Sequence, residues 1–329
     1  MTSSPPRPRR LAIESTGSPG LRGPARLSVL VLAAVTALAA CGGSGTRDGA
    51  RDPLPGRTPS AETGPSSPSA TSDAIGGGFP SAQTTGLRPG SVLKKVGEVT
   101  VLKKGAVVEN LEVHGKLNIK ADDVTVRNVR VIGEGDWSVI QAEGASGAVI
   151  EDCEISGNGT VKAQWGVLNQ GGQITVRRAN IHTVSNSVGT DHGLIEDSYM
   201  HDFKEFPGDH ITGPQINGSP QDGLTLTIRH NTIFNQLSQT SAISIYQDFS
   251  RAHDVLIENN LLGGGGYTIY GGAGKFGTPT DIRILNNVFT RRLFPKGGFW
   301  GSVTYFDTKG KGNRFEGNVW EDTREAVEG

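Results

Sequence analysis

The sequence lacks three features that mark common classes of protein: a membrane-spanning apolar run, an excess of basic residues, and helical periodicity after residue 90. The longest apolar run, residues 29–40, is shorter than the roughly 20 residues that a bilayer requires. The formal net charge is −1, and without the arginine-rich N-terminal segment the rest of the chain is more acidic. A nucleic-acid partner is therefore not expected, because that function needs a basic face.

The N-terminal segment has the order of a secretion signal: basic residues, a short apolar run and then small residues. The run ends in Leu38-Ala39-Ala40-Cys41, which resembles the lipobox of bacterial lipoproteins. The resemblance implies that residues 1–40 are removed and that the Cys41 thiol is acylated. The mature protein would then be anchored on the extracellular face of the cell membrane. An ordinary secretory signal, which would release the protein, is the alternative.

Cysteine is scarce, since only Cys41 and Cys153 occur. If Cys41 is acylated, Cys153 has no partner, and the exported domain must be held by burial and hydrogen bonds alone. Residues 41–90 are rich in Gly, Pro, Ser and Thr and predict a disordered tether, because they offer little apolar surface to bury. The folded domain is predicted to cover residues 91–329.

A repeated pattern fills that domain: an apolar alternation, a polar pair and a second alternation, as in Val124–Val131 and Ala148–Ile155. The apolar anchors of successive units are Val126, Ile150, Val176, Ile195, Ile228, Ile257, Ile284 and Phe315. Period-2 alternation indicates strands, and the variable spacing between anchors indicates stacked coils with loops of different length. The gaps are too short and Gly-rich for crossover helices. The sequence therefore predicts an all-β fold, a parallel β-helix of about eight coils.

Four asparagines, Asn231, Asn260, Asn287 and Asn318, lie three residues after successive anchors. Stacked side-chain amides can hydrogen-bond along a column. We therefore predict a structural asparagine ladder at one corner of the coils.

The repeat resembles the right-handed parallel β-helix superfamily of pectate lyases, polygalacturonases and many secreted actinobacterial proteins, over residues 95–325. The resemblance implies a right-handed solenoid that acts on extracellular polysaccharide. The segment 208–216 is similar to an Asp/His-x-Asp-Gly-x-Gln segment of such proteins, with Asp209, His210, Gly213 and Gln215 as the matching residues. Thr212 stands where the second Asp is expected. If that Asp is an acid or a metal ligand in the family, the departure argues against catalysis.

A second strand in each unit is expected to form the floor of a groove, lined by columns of small and polar residues. In each unit one residue of this strand is predicted to be buried at the same position: Val139, Val167, Val188, Ile211, Ile243, Ile269 and Val303. The column through Ser138 and Ser187 then faces outwards. In this register Asp191, His210 and Tyr246 share one sheet face with Tyr270, at about 4.8 Å per coil.

Two reactions fit these residues, and both make the protein a polysaccharide-degrading enzyme. For β-elimination of an acidic glycan, His210 or Lys275 would be the base and Tyr246 or Tyr270 the acid, with Ca²⁺ or a basic residue stabilising the anion. For hydrolysis, two carboxylates are needed across the bond. The available carboxylates are Asp191, Asp209, Asp222 and Asp248.

The residues expected to contact substrate are Tyr270, Gln215, Asp222, Thr212 and Arg251. The rival hypothesis is a non-catalytic β-helix lipoprotein that binds a glycan or the cell wall. In either case the expected partner is a polysaccharide, and the protein is expected to be a monomer.

Overall fold

The computed structural model describes residues 78–218, 220–247, 250–272 and 274–329. In these residues the chain forms strands joined by turns and bends. This part of the chain contains no helix that could cross a membrane. The predicted signal, Cys41 and most of the predicted tether lie outside the described residues.

The chain contains short strands of two to seven residues. In order they are β1 (Lys94–Val96), β2 (Val99–Val101), β3 (Val107–Glu109), β4 (Leu111–His114), β5 (Leu117–Ile119), β6 (Thr125–Arg127), β7 (Arg130–Gly133), β8 (Gly135–Gln141), β9 (Ala148–Glu151), β10 (Glu154–Gly157), β11 (Ala163–Asn169), β12 (Ile174–Arg177), β13 (Asn180–His182) and β14 (Asn186–Gly189). They continue as β15 (Gly193–Glu196), β16 (Tyr199–His201), β17 (Thr212–Ile216), β18 (Leu226–Arg229), β19 (Thr232–Asn235), β20 (Ile243–Ile245), β21 (His253–Glu258), β22 (Leu261–Gly264), β23 (Tyr267–Tyr270), β24 (Thr280–Leu285), β25 (Val288–Phe289), β26 (Gly301–Thr304), β27 (Arg314–Glu316) and β28 (Val319–Trp320).

Three parallel sheets are built by every third strand. Sheet A holds ten strands from β1 to β28, sheet B nine from β2 to β26, and sheet C nine from β3 to β27. The chain passes from A to B to C and then starts the next coil. The predicted all-β parallel β-helix is confirmed, because each strand pairs in parallel with the strand one coil away.

The anchor column of sheet C has the predicted register. Val126 pairs with Ile150, and each later anchor pairs with the next one as far as Phe315. The seven anchors from Val126 to Ile284 are fully buried. Their alternation with exposed or half-buried residues explains why the register is unambiguous: a slip of one residue would expose the whole column.

The corner between sheets C and A turns through one left-handed residue per coil. The residues in this conformation include Asn128, Asp152, Arg178, Asp197, His230, Asn259, Asn286 and Gly317, with φ between 48° and 68°. Asn and Asp tolerate this region better than other residues with a side chain. The shared conformation places the following residue of each coil in one column.

The predicted asparagine ladder occupies that column. The Nδ2 group of Asn231 donates to Oδ1 of Asn260 at 3.0 Å. Asn260 donates in the same way to Asn287, and Asn287 to Asn318, at 2.9 Å each. All four side chains are buried, so the ladder satisfies polar groups inside the corner.

Residues 80–90, which composition assigned to the tether, lie along the outside of this corner. The Gly86 N–H donates to the Arg178 carbonyl at 2.8 Å. Further along, the Arg88 N–H donates to Asn128 Oδ1 at 2.9 Å, and the Arg88 guanidinium pairs with Asp152 at 2.7 Å. The packed part of the chain therefore begins before residue 91.

The predicted register of sheet B is wrong in one coil. Pro214, not Ile211, pairs with Val188, and Gln215 pairs with Gly189 and Ser244. This coil is displaced by three residues, because Ile211 lies before β17 and a proline ring takes the core position. Proline is unusual inside a central strand, so the pattern favoured the isoleucine.

A second expectation for sheet B is also wrong: the column through Ser138 and Ser187 does not face the solvent. Both side chains are fully buried. The Ser138 hydroxyl donates to the Ser156 carbonyl at 3.3 Å, and the Ser187 hydroxyl contacts the Met200 sulfur at 3.2 Å. These serines therefore line the interior on the side of sheet A.

An ion-pair row crosses the outer face of sheet A. Arg130 donates to Glu112 at 3.1 Å and to Glu154 at 3.0 Å. The Nε2 atom of His182 lies 3.7 Å from Oε1 of Glu154. The pKa of Glu154 is lowered to about 2, first by His182 and then by Arg130, while burial opposes the shift.

We expect Glu154→Gln to lower the free energy of unfolding at neutral pH. We also expect this free energy to fall less steeply in the variant as the pH is lowered. The folded pKa lies below the ordinary value of 4.5, so ionised Glu154 stabilises the fold above that pH and this stabilisation is lost as pH falls towards about 2. Denaturant unfolding across this range measures the effect. Glu143→Gln, at an exposed position outside the row, is the control. Equal acid dependence in the two variants would contradict the assignment.

Candidate functional site

The outer face of sheet B carries two columns of side chains that cross the coils. The first column is Trp137, Trp165, Asn186, Thr212, Ser241, Tyr267 and Gly301, and the second is Ile140, Leu168, Gly189, Gln215, Ser244, Tyr270 and Thr304. The second column follows the buried positions Val139, Val188 and Ile243, so it points away from the core. Aromatic residues lie at both ends of the face, and polar residues lie between them.

A tyrosine ladder, formed by Tyr246, Tyr270 and Tyr305, stands at the end of this face near the C-terminus. The ring centroids of Tyr246 and Tyr270 are 5.1 Å apart, and those of Tyr270 and Tyr305 are 5.3 Å apart. Tyr305 is 62% exposed. The three rings therefore form a continuous aromatic surface that reaches the solvent.

A cleft of about 500 Å³ adjoins the ladder. Its lining residues are Gly272, Gly274, Gly277, Thr278, Tyr305, Phe306 and Asp307. The exposed Lys275 belongs to the same loop, and its Nζ atom lies 5.0 Å from the centroid of the Phe276 ring. The predicted basic group is thus close in sequence to the cleft wall, and its cation rests on an aromatic ring.

The polar middle of the face is linked by hydrogen bonds. The Thr212 hydroxyl lies 2.8 Å from Asn186 Oδ1 and 3.0 Å from Gln215 Oε1. Gln215 in turn donates to Asn217 Oδ1 at 2.6 Å. Thr212 is fully buried, whereas Gln215 and Asn217 are half-buried. Thr212 and Gln215 were both predicted to contact substrate, and of these two only Gln215 reaches the surface.

Asp209, a predicted carboxylate, and His210, a predicted base, lie in different surroundings. Asp209 is buried, pairs with Lys162, and accepts hydrogen bonds from the Ser185 hydroxyl at 2.7 Å and the Phe206 N–H at 3.0 Å. His210 is exposed before β17 and has no hydrogen bond or ion pair to any described residue. The displaced register moves His210 off the sheet face. The Asp209 carboxylate, which has three donors, has a structural role.

Asp191 remains beside the face, two residues after Gly189 of the second column. Its Oδ1 atom accepts the N–H groups of Asn217 at 2.7 Å and Gly218 at 3.2 Å. Tyr246 follows β20, which is two coils from β14, or about 10 Å. Asp191 therefore positions a loop next to the tyrosine ladder.

The remaining predicted site residues are scattered. Asp222 and Arg251 are exposed in loops and do not join the face. Asp248 lies outside the described residues, as does Cys41. In the described part of the chain, no three His, Cys, Asp or Glu side chains form a group that could hold a metal ion, so the suggested Ca²⁺ acquires no such ligand set.

Four aromatic residues of the face were missed: Trp137, Trp165, Tyr267 and Tyr305. The two tryptophans pair in register, each two residues before the buried valine of its strand. Aligning the strands one position further towards the N-terminus would have found them. Tyr305 follows the last strand of sheet B, outside the columns that were compared.

The chain matches no protein-family model and no curated protein. Among solved structures it matches the crystal structure of tailspike protein gp49 from Acinetobacter baumannii bacteriophage Fri1, described as a capsular polysaccharide depolymerase. The identity is 10%, the TM-score is 0.27, and the match covers 69% of this chain. It covers 54% of the tailspike, so the chain spans about half the length of that protein. So weak a likeness carries no argument about function.

Proposed function

We propose that the protein binds an extracellular glycan along the outer face of sheet B. The tyrosine ladder carries this proposal, because the flat C–H faces of pyranose rings stack on aromatic rings. The amide groups of Gln215 and Asn217 supply the hydrogen bonds that sugar hydroxyls require. Apolar rings with a few convergent polar groups are the usual composition of a ligand site.

Charge favours a glycan over a nucleic acid, which also stacks on aromatic rings. A single-stranded nucleic acid requires a positive groove for its phosphates. The chain carries 32 basic and 33 acidic residues, and Asp191 lies beside the face. Lys275, near the cleft, is compatible with an acidic sugar.

Binding is supported better than cleavage. Hydrolysis would need two carboxylates across the bond, but Asp209 is buried against Lys162 and Thr212 has no carboxylate. Elimination would need a base on the face, but His210 lies off it and Lys275 lies in the cleft loop with its cation over the Phe276 ring. The lyase and hydrolase hypotheses therefore become outcomes that the experiment has to detect.

Location outside the cell is part of the proposal, and its support is the lipobox-like sequence before Cys41. Incorporation of labelled fatty acid that is lost in Cys41→Ser would support anchoring. Label that persists in the variant would contradict it.

The decisive experiment is to incubate the full chain with immobilised polygalacturonate, alginate, cellulose and peptidoglycan. We expect retention on at least one polymer without release of product. Unsaturated products that absorb in the near ultraviolet would identify a lyase, and new reducing ends without that absorbance a hydrolase. Failure to be retained by any polymer would contradict glycan binding.

A further inference from the structure

We infer that the glycan site contains a second aromatic contact, the tryptophan platform of Trp137, Trp165 and Leu168, and that the ligand is a chain long enough to reach it from the tyrosine ladder. This inference rests on the proposed function. It adds a site and a minimum ligand size that the ladder alone does not require.

Trp165 lies against the sheet at a place that is cleared for it. A Cβ atom added to Gly189 would lie 2.8 Å from Cζ3 and 2.9 Å from Cε3 of Trp165. Such contacts are too close for any side chain, so the indole ring occupies the space that the glycine leaves. Gly189 does not have a positive φ, so the turn-forming property of glycine does not explain its presence here. Its role is to let the ring lie close to the strand.

Trp137 is held one coil away by polar contacts. Its Nε1–H donates to Asn118 Oδ1 at 2.9 Å, and the Asn118 amide donates to Glu98 at 2.9 Å. The Nζ atom of Lys116 lies 4.8 Å from the ring centroid. Both tryptophans remain half-buried rather than buried, so the platform is fixed in place and still meets solvent.

The distance from Trp165 to Tyr270, the middle member of the ladder, sets the size of a ligand that contacts both. Four strand steps separate β11, which carries Trp165, from β23, which carries Tyr270, or about 19 Å. One sugar residue cannot span this distance, whereas an oligosaccharide running along the coils can. The second column between them consists of Gly189, Gln215 and Ser244, of which Gln215 is half-buried and can contact a ligand.

A half-buried tryptophan can also simply cover a sheet, and the length of the ligand distinguishes the two roles. A covering role predicts that replacing Trp165 affects every ligand equally, through the fold. A contact role predicts that only ligands long enough to reach Trp165 lose affinity. Short ligands therefore serve as the control for folding within the same variant.

The experiment measures the affinity of the full chain for galacturonate oligomers and for β-1,4-linked glucose oligomers, from the monomer to chains longer than the 19 Å span. For wild type we expect affinity to rise with length until the span is covered. For Trp165→Ala we expect roughly tenfold weaker binding of the long oligomers and unchanged binding of the short ones. Gly189→Ala, which keeps both tryptophans but displaces the Trp165 ring, should behave in the same way.

Three results would overturn the inference while leaving glycan binding intact. One is a wild-type affinity that stops rising at the dimer. Another is a loss in Trp165→Ala that is the same for short and long oligomers, or absent for both. The third is a wild type that is retained by a polymer but binds no oligomer of either series. If none of the four immobilised polymers retains the wild type, the proposed function fails together with the inference.

Discussion

Replacing Asn260 by Ala is expected to lower the free energy of unfolding by about 4 kcal/mol, because at least two buried groups lose partners at roughly 1–3 kcal/mol each. The Asn260 Oδ1 atom accepts both the backbone N–H and the Nδ2–H of Asn231 at 3.0 Å. Its own Nδ2 group donates to the Ile228 carbonyl and to Asn287 at 2.9 Å each. One side chain thus links its own coil to the coils on either side, and alanine can make none of these hydrogen bonds.

The neighbouring Asn259→Gly variant is the matched control. Asn259 is exposed and adopts φ 49°, a conformation that glycine adopts without strain. We expect its free energy of unfolding to change by less than about 1 kcal/mol. Glycine relieves the backbone strain at this φ, but it also increases the conformational entropy of the unfolded chain, and the two effects oppose each other.

Denaturant unfolding of the two variants measures the difference in stability. Hydrogen exchange adds a local reading, because the Asn231 amide loses its acceptor in Asn260→Ala. The Asn287 amide, which donates to Asn318 at 2.9 Å, keeps its acceptor. Equal stability in the two variants, or equal acceleration at both amides, would show that the ladder does not hold the corner.

The difference between Asn259 and Asn260 shows how much of the fold is present in the sequence. Both are asparagines in the same repeat, and only the distance from the anchor identifies which one faces inwards, since Asn260 lies three residues after Ile257. The anchors of sheet C pair without interruption from Val126 to Phe315, so they define the stacking direction and the ladder together. Register in a sheet with one buried face is strongly constrained in this way.

Sheet B was harder to predict because its strands bury residues that do not look like core residues. Pro214 takes a position that valine and isoleucine fill in other coils, and Ser138 and Ser187 point inwards. Two apolar residues, Ile211 just before β17 and Ile216 at its end, allow two alignments. Choosing the wrong one moved His210 onto the face and Gln215 off the column.

The candidate site was recovered only in part for the same reason. Tyr246 and Tyr270 lie in coils whose register was right, so they were placed together. The ion pair of Lys162 with Asp209 joins residues far apart in the chain, and no local pattern predicts it. The space over Gly189 depends on a contact between coils, so no pattern within one coil predicts a tryptophan there.

Replacing Tyr270 by Ala is expected to weaken glycan retention by roughly ten- to a hundredfold, by analogy with the roughly 1–3 kcal/mol that a base gains from stacking on an aromatic side chain. Tyr270 is the middle member of the ladder, with ring neighbours at 5.1 and 5.3 Å. Its removal therefore interrupts the aromatic surface instead of shortening it. In contrast to Trp165→Ala, this loss should affect short and long oligomers alike.

Two further variants test whether stacking on the ladder causes that loss of affinity. Tyr270→Phe keeps the ring and removes the hydroxyl, so it should retain most of the affinity if stacking dominates. Trp300→Ala removes an aromatic residue that is 62% exposed outside the ladder, and we expect little change. Retention on the polymer that wild type binds, measured alongside thermal unfolding, gives the comparison. A similar loss in Trp300→Ala would mean that any exposed aromatic residue promotes adsorption, whereas unchanged binding by Tyr270→Ala would place the glycan elsewhere on the solenoid.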